Sequence, residues 1–76
     1  MEKLSAVKQG TIGTVVSIQG DKRFLGRITS IGISIGCEVE VLQNPNKRPL
    51  LLYSRDTMIA INRQESEKIM LEVVEK

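Results

Sequence analysis

The sequence predicts a mainly β domain: a small barrel of about five short strands, with one short helix after the first strand and a helical turn before the last. Three observations lead there. Apolar residues alternate with polar ones in several short runs, the pattern of half-buried strands. Glycine and proline punctuate those runs. The chain has only 76 residues, too few to build two separate sheets around one core. A strongly bent antiparallel sheet that curls into a barrel is the economical arrangement, because closure removes exposed edges.

The first strand runs over Thr11–Ile18, where Ile12 and Val15, Val16 and Ile18 supply β-branched apolar character. Gly13 inside it predicts a bulge or sharp bend. The period then changes. Phe24, Leu25, Ile28 and Ile31 recur at helical spacing behind Asp21, a good N-cap residue. Gly32 stands where a C′ glycine closes a helix, which pairs Ile33 at C″ with Ile28 at C3. Gly26 inside the helix costs about 1 kcal/mol against alanine; it either admits a neighbouring backbone or is merely tolerated.

Period two returns in Glu38–Val41. Residues Gln43–Pro49 are loop by composition. Leu50–Tyr53 and Thr57–Ile61 flank the turn Ser54-Arg55-Asp56 and read as a hairpin. Asn62 followed by Glu65 has the form of a capping box, so a short helical turn is expected over Asn62–Lys68. Ile69, Leu71 and Val73 share one face of a closing strand.

Composition narrows the function classes. Residues 1–76 make one domain, and 41% of them are hydrophobic, enough for a core without disulfide or metal staples. The lone Cys37 has no partner for an internal disulfide, and it reads as a small buried hydrophobe in a reducing compartment. One Cys and no His leave no usual zinc or copper ligand set, no usual general base and no common nucleophile–base pair. No catalytic residue, metal ligand or cofactor site is therefore assigned, and the chain is expected not to be an enzyme. No apolar run opens the chain or approaches the ~18 residues of a membrane span. A cytoplasmic protein without direct membrane insertion is expected. Residues 1–36 carry five basic and two acidic side chains, the remainder six and seven. That mild asymmetry, with only Phe24 and Tyr53 as aromatics, disfavours a nucleic-acid partner.

Three stretches together resemble the FeoA family, the small cytosolic partners of the bacterial ferrous iron transporter FeoB. They are the glycine-flanked strand Gly10-Thr11-Ile12-Gly13 through Ile18, the run Arg27-Ile28 through Gly32-Ile33, Gly36 and Val41, and Pro49 onward through Ala60-Ile61, Glu65 and Val73. The resemblance covers roughly residues 4–73. Ile35 stands where the family has proline, Asn62 where it has arginine and Ser66 where it has alanine. The resemblance implies an SH3-like barrel and an accessory or regulatory role in ferrous iron uptake, exerted by binding the cytosolic part of the FeoB-type transporter. It also brings transition-metal binding into view, as a metal-binding or metal-sensing barrel; a nucleic-acid-binding barrel is the further alternative. Without His, a metal would need carboxylates, Cys37 or a second copy of the chain.

The candidate partner-binding residues are Lys22, Arg23 and Arg27 on the helix, with Gly32, Ile33 and Gly36 forming a groove wall at its end. The apolar residues Phe24, Leu25, Ile28 and Ile31 are expected to plug one end of the barrel. Lys47, Arg48 and Arg55 lie in loops, where charge more often serves solubility. Glu38 and Glu40 are expected on a solvated strand face.

Overall fold

The computed structural model describes residues 1–45 and 47–73. Among the described residues six strands form one antiparallel sheet: β1 (Glu2–Lys3), β2 (Ile12–Ile18), β3 (Glu38–Gln43), β4 (Leu50–Ser54), β5 (Thr57–Ile61) and β6 (Ile69–Val73). Their order is β1-β6-β2-β3-β4-β5, so β2 and β6 sit centrally although they come from opposite ends of the chain. Helix α1 (Lys22–Ser30) follows β2, and the short α2 (Arg63–Ser66) precedes β6. Among the described residues no helix is long and apolar enough to cross a membrane.

Alternation builds the core. Val39 and Val41 of β3, Leu50 and Leu52 of β4, Ile59 and Ile61 of β5, and Ile69 and Leu71 of β6 all point inward and are buried. Each residue skipped between them faces outward or lies at the barrel wall.

Two irregularities bend the sheet. The register shifts between Val15 and Ser17 of β2 and between Val41 and Gln43 of β3. The bend expected at Gly13 therefore lies three residues further on, at Val16. Gly13 serves another purpose. It is buried between Val39 of β3 and Val73 of β6, and a Cβ there would lie 3.0 Å from the Glu72 carbonyl oxygen and 3.4 Å from Leu71. The glycine lets two central strands approach closely.

Helix α1 is closed at both ends by its own sequence. Asp21 Oδ1 accepts the Phe24 N–H at 2.9 Å. At the other end the Ile33 N–H donates to Ile28 C=O and the Gly32 N–H to Thr29 C=O, the paired bonds of a Schellman ending. Gly32 has φ +107°, a conformation a side chain resists. Phe24 and Ile28 are buried, Leu25 is half-buried, and Ile31 is 37% exposed. The plug thus consists of three residues, and Ile31 stands at its rim. A Cβ on Gly26 would meet nothing within 4 Å, so that glycine is tolerated and admits no neighbouring backbone.

The hairpin turn is Arg55-Asp56, with Ser54 inside β4. Both turn residues have positive φ, 52° and 62°, the signature of a type I′ turn. Asn62 caps α2 by accepting the Glu65 N–H at 2.8 Å. The reciprocal half of the capping box is replaced by an ion pair, because the Glu65 carboxylate pairs with Arg27 of α1.

The N-terminus departs from the sequence reading. Strand β1 and a 3-10 turn over Leu4–Ala6 were not expected, yet Leu4 and Val7 belong to the core.

Candidate partner-binding surface

Helix α1 places its charges by period. With Phe24 and Ile28 turned into the core, Lys22, Arg23 and Arg27 fall on the exposed side. No acidic residue lies in α1. Beside it opens a shallow groove of ≈ 310 Å3, lined by Asp21, Arg23, Phe24, Arg27 and Lys68. The Lys68 ammonium sits 4.7 Å from the centre of the Phe24 ring, and the Arg27 guanidinium 5.9 Å from it. The ring's negative face draws two cations to the groove floor.

The carboxylate in the groove and the one beside it are already engaged. Asp21 caps the helix and Glu65 pairs with Arg27. Arg23 and Lys68 have no ion-pair partner among the described residues. Lys68 was not singled out from the sequence. It is 44 positions from Phe24 in the chain, and only the α2–β6 turn brings it across.

The glycine-rich wall is divided by burial. Gly36 is exposed and Gly32 half-buried. Ile33 is fully buried. Ile33 thus anchors the Schellman ending and offers no surface to a partner, a correction to its place among the candidates. Ile35, two residues on, is the exposed one at 66%.

The other singled-out residues find structural roles. Cys37 is buried and its sulfur accepts the Ser34 N–H. Ser54 is buried and donates to Glu38 C=O at 2.8 Å. Glu38 is exposed and Glu40 half-buried. Among the described residues no three Cys, His, Asp or Glu side chains gather closely enough to hold a metal ion. Lys47 and Arg48 are exposed, and Arg55 reaches Ser34 Oγ at 3.4 Å.

Residues 2–73 match the FeoA domain family. The chain belongs to that family. It is 33% identical over 75 residues to a candidate Fe(2+) transport protein A of Methanocaldococcus jannaschii, spanning 99% of this chain and 90% of that protein. This FeoA-family fold superposes on a crystal structure of the iron uptake regulatory protein FeoA with a TM-score of 0.91 at 24% identity, covering 95% of this chain and 96% of that one. It also superposes on FeoA of Stenotrophomonas maltophilia, solved with zinc and described as a procaryotic SH3 domain protein, with a TM-score of 0.79 at 23% identity, covering 95% and 91%. The barrel is thus SH3-like, as the sequence resemblance implied. At the positions where this FeoA chain departs from the family pattern, the structure gives a local reason for two. Asn62 caps α2, and buried Ser66 donates to Arg63 C=O at 2.8 Å. Ile35 lies exposed in the loop after α1.

Proposed function

We propose that this chain is an accessory protein of ferrous iron uptake that acts by binding and not by catalysis. Its partner is the cytosolic part of a FeoB-type transporter GTPase, met through the basic face of α1. The observation that carries this reading is the basic surface of Lys22, Arg23 and Arg27 with Lys68 beside them at the Phe24 groove, where Asp21 is taken up by the helix cap and Glu65 by Arg27. Such a face suits an acidic partner surface, where complementary charge speeds encounter and fixes register. Membership of the FeoA family and likeness to an Fe(2+) transport protein A supply the iron-uptake context. Regulation then requires the transporter domain to have states that differ in affinity for the barrel, since only differential binding shifts an equilibrium.

The test is an NMR titration of the labelled domain with the purified cytosolic transporter domain, with and without guanine nucleotide. Shifts confined to α1 and the Lys68 turn are expected. Arg23→Glu should weaken the complex at least about tenfold, a loss of ~1.4 kcal/mol, while circular dichroism stays unchanged. Arg27→Gln should do likewise, without setting a second carboxylate against the largely buried Glu65 side chain. Equal affinity of both variants for the transporter domain would remove α1 from the interface.

A further inference from the structure

Strand β5 ends the sheet. It pairs with β4 along all five of its residues and, among the described residues, has no strand on its other side. In a two-residue hairpin the residues flanking the turn form a hydrogen-bonded pair, and such pairs recur at every second position. The flanking pair here is Ser54 with Thr57, so Thr57, Ile59 and Ile61 direct their backbone groups to β4. The N–H and C=O of Met58 and Ala60 therefore point away from the sheet. No backbone group elsewhere among the described residues bonds to them, and both residues are exposed.

Natural sheet edges are shortened, charged, bulged or interrupted by proline. The opposite edge of this sheet follows the rule: β1 is two residues long, and both are charged. Strand β5 does not. Thr57–Ile61 contains no charge and no proline, and its register with β4 runs without a shift.

Apolar surface adjoins this edge. Met58 is 61% exposed, and Tyr53 lies opposite it in β4. The loop after α1 comes alongside, with Gly32 close to the Ile59 side chain and Ser34 within reach of Arg55. That loop carries exposed Ile35, and Ile31 at its start. Met58 and Tyr53 stand together on the outer face of the hairpin, while Ile31 and Ile35 belong to the loop that approaches the inward Ile59. Both ends of the strand carry basic side chains, although Glu38, Glu40 and Asp56 line the hollow beside Arg55. Arg55 precedes it, while Lys47 and Arg48 share a hollow with Asn62 just beyond it. The acid at that turn, Asp56, already accepts the Tyr53 hydroxyl at 3.1 Å.

We infer that the β5 edge receives an extended segment of a partner protein as a seventh strand. Its backbone bonds the free groups of Met58 and Ala60, its apolar residues cover Met58, and its acidic residues meet Arg55 and Lys47–Arg48. Edge addition of this kind draws affinity from main-chain bonds and specificity from alternate side chains. A second copy of the chain is the poorer occupant. Antiparallel pairing of two β5 edges would set Arg55 of one copy against Lys47 and Arg48 of the other. This surface is separate from the basic face of α1, and the inference does not depend on which transporter domain α1 meets.

The experiment uses the whole domain and a synthetic peptide of about ten residues, long enough to span one strand, alternating valine with glutamate. A valine–lysine peptide is the control. The glutamate peptide is expected to slow amide exchange at Met58 and Ala60 by about tenfold or more at saturation and to shift Met58 and Arg55. The lysine peptide should do neither. Met58→Lys should lower the peptide's affinity about tenfold, Ala60→Lys gives an independent reading should the first variant fold poorly, and Arg27→Gln should leave binding unchanged. Unaltered exchange at millimolar glutamate peptide would overturn the inference, as would shifts confined to the α1 groove. Protection of Met58 and Ala60 that rises with protein concentration alone would overturn it in favour of a second copy.

Discussion

Replacing Arg63 by alanine should cost this small domain a large share of its stability. The half-buried guanidinium makes five hydrogen bonds to four acceptors: Asn44 Oδ1 from both terminal nitrogens at 2.9 Å, Pro45 C=O at 2.8 Å, Arg48 C=O at 3.0 Å and Ser5 C=O at 3.2 Å. Asn44 in turn donates to Ser5 C=O and Val7 C=O. One side chain thus ties the N-terminal 3-10 turn, the β3–β4 loop and α2 together. Hydrogen bonds involving a charge contribute about 1.5–3 kcal/mol each when truncated in isolation. Water can reach part of this cluster once the side chain is gone, so about 2–4 kcal/mol in total is the reasoned loss for Arg63→Ala. At ~0.05–0.15 kcal/mol per residue the whole domain holds roughly 4–11 kcal/mol, so the loss is on the order of a third of the total. The melting temperature should fall by about 10–25 °C. Urea unfolding followed by circular dichroism measures it, with an unchanged m-value marking a stability effect. Arg63→Lys should recover only part, because an ammonium lacks the planar fork that reaches several carbonyls at once. Asn44→Ala combined with Arg63→Ala should be less than additive. A loss under about 0.5 kcal/mol for Arg63→Ala, the range of ordinary surface substitutions, would refute the view that this cluster holds the N-terminal segment to the barrel.

Three further outcomes follow from local geometry. Gly13→Ala should destabilise by about 1–3 kcal/mol, since its Cβ would press on the Glu72 carbonyl in the middle of the sheet; urea midpoints check it. Gly26→Ala should stabilise by about 1 kcal/mol, because the position is helical and opens on empty space; a raised melting temperature checks it. The double change Arg55→Asn with Asp56→Gly should raise stability by on the order of 1 kcal/mol by relieving two positive-φ side chains, again read in urea. Arg55→Asn alone, which leaves Asp56 in place, should weaken the glutamate peptide in the exchange experiment.

Elements whose signals are local were legible. The Asp21 cap, the Gly32 ending with its Ile28–Ile33 pair, the Asn62 cap and the inward set Ile69, Leu71 and Val73 each depend on residues within a few positions of one another. Such patterns survive in the sequence because the physics is short-ranged. Misreadings arose where one residue could satisfy two rules. Gly13 fits a bulge as well as a close approach, and only the position of Glu72 in the neighbouring strand distinguishes them. Glu65 sits at the N3 position of a capping box, yet Arg27 claims its carboxylate from another helix. Ile33 counted as a groove wall by adjacency to Gly32, although the helix ending turns it wholly inward. Strand β1 and Leu4 went unread because a two-residue strand and a single 3-10 turn leave no periodicity to count.

The sequence by itself determined that this chain is a small β barrel with one plugged end, that its first helix carries a basic face, and that its residues follow the FeoA pattern. Alternation, capping and glycine placement are properties of neighbouring residues, and they are written in order along the chain. Only the tertiary structure decided that Lys68 joins Arg23 and Arg27 at the Phe24 ring, that Arg63 clamps the N-terminus, and that β5 is left as the unguarded edge. Those facts rest on contacts between residues far apart in sequence and on which strands the sheet leaves unpaired, and no local pattern encodes either.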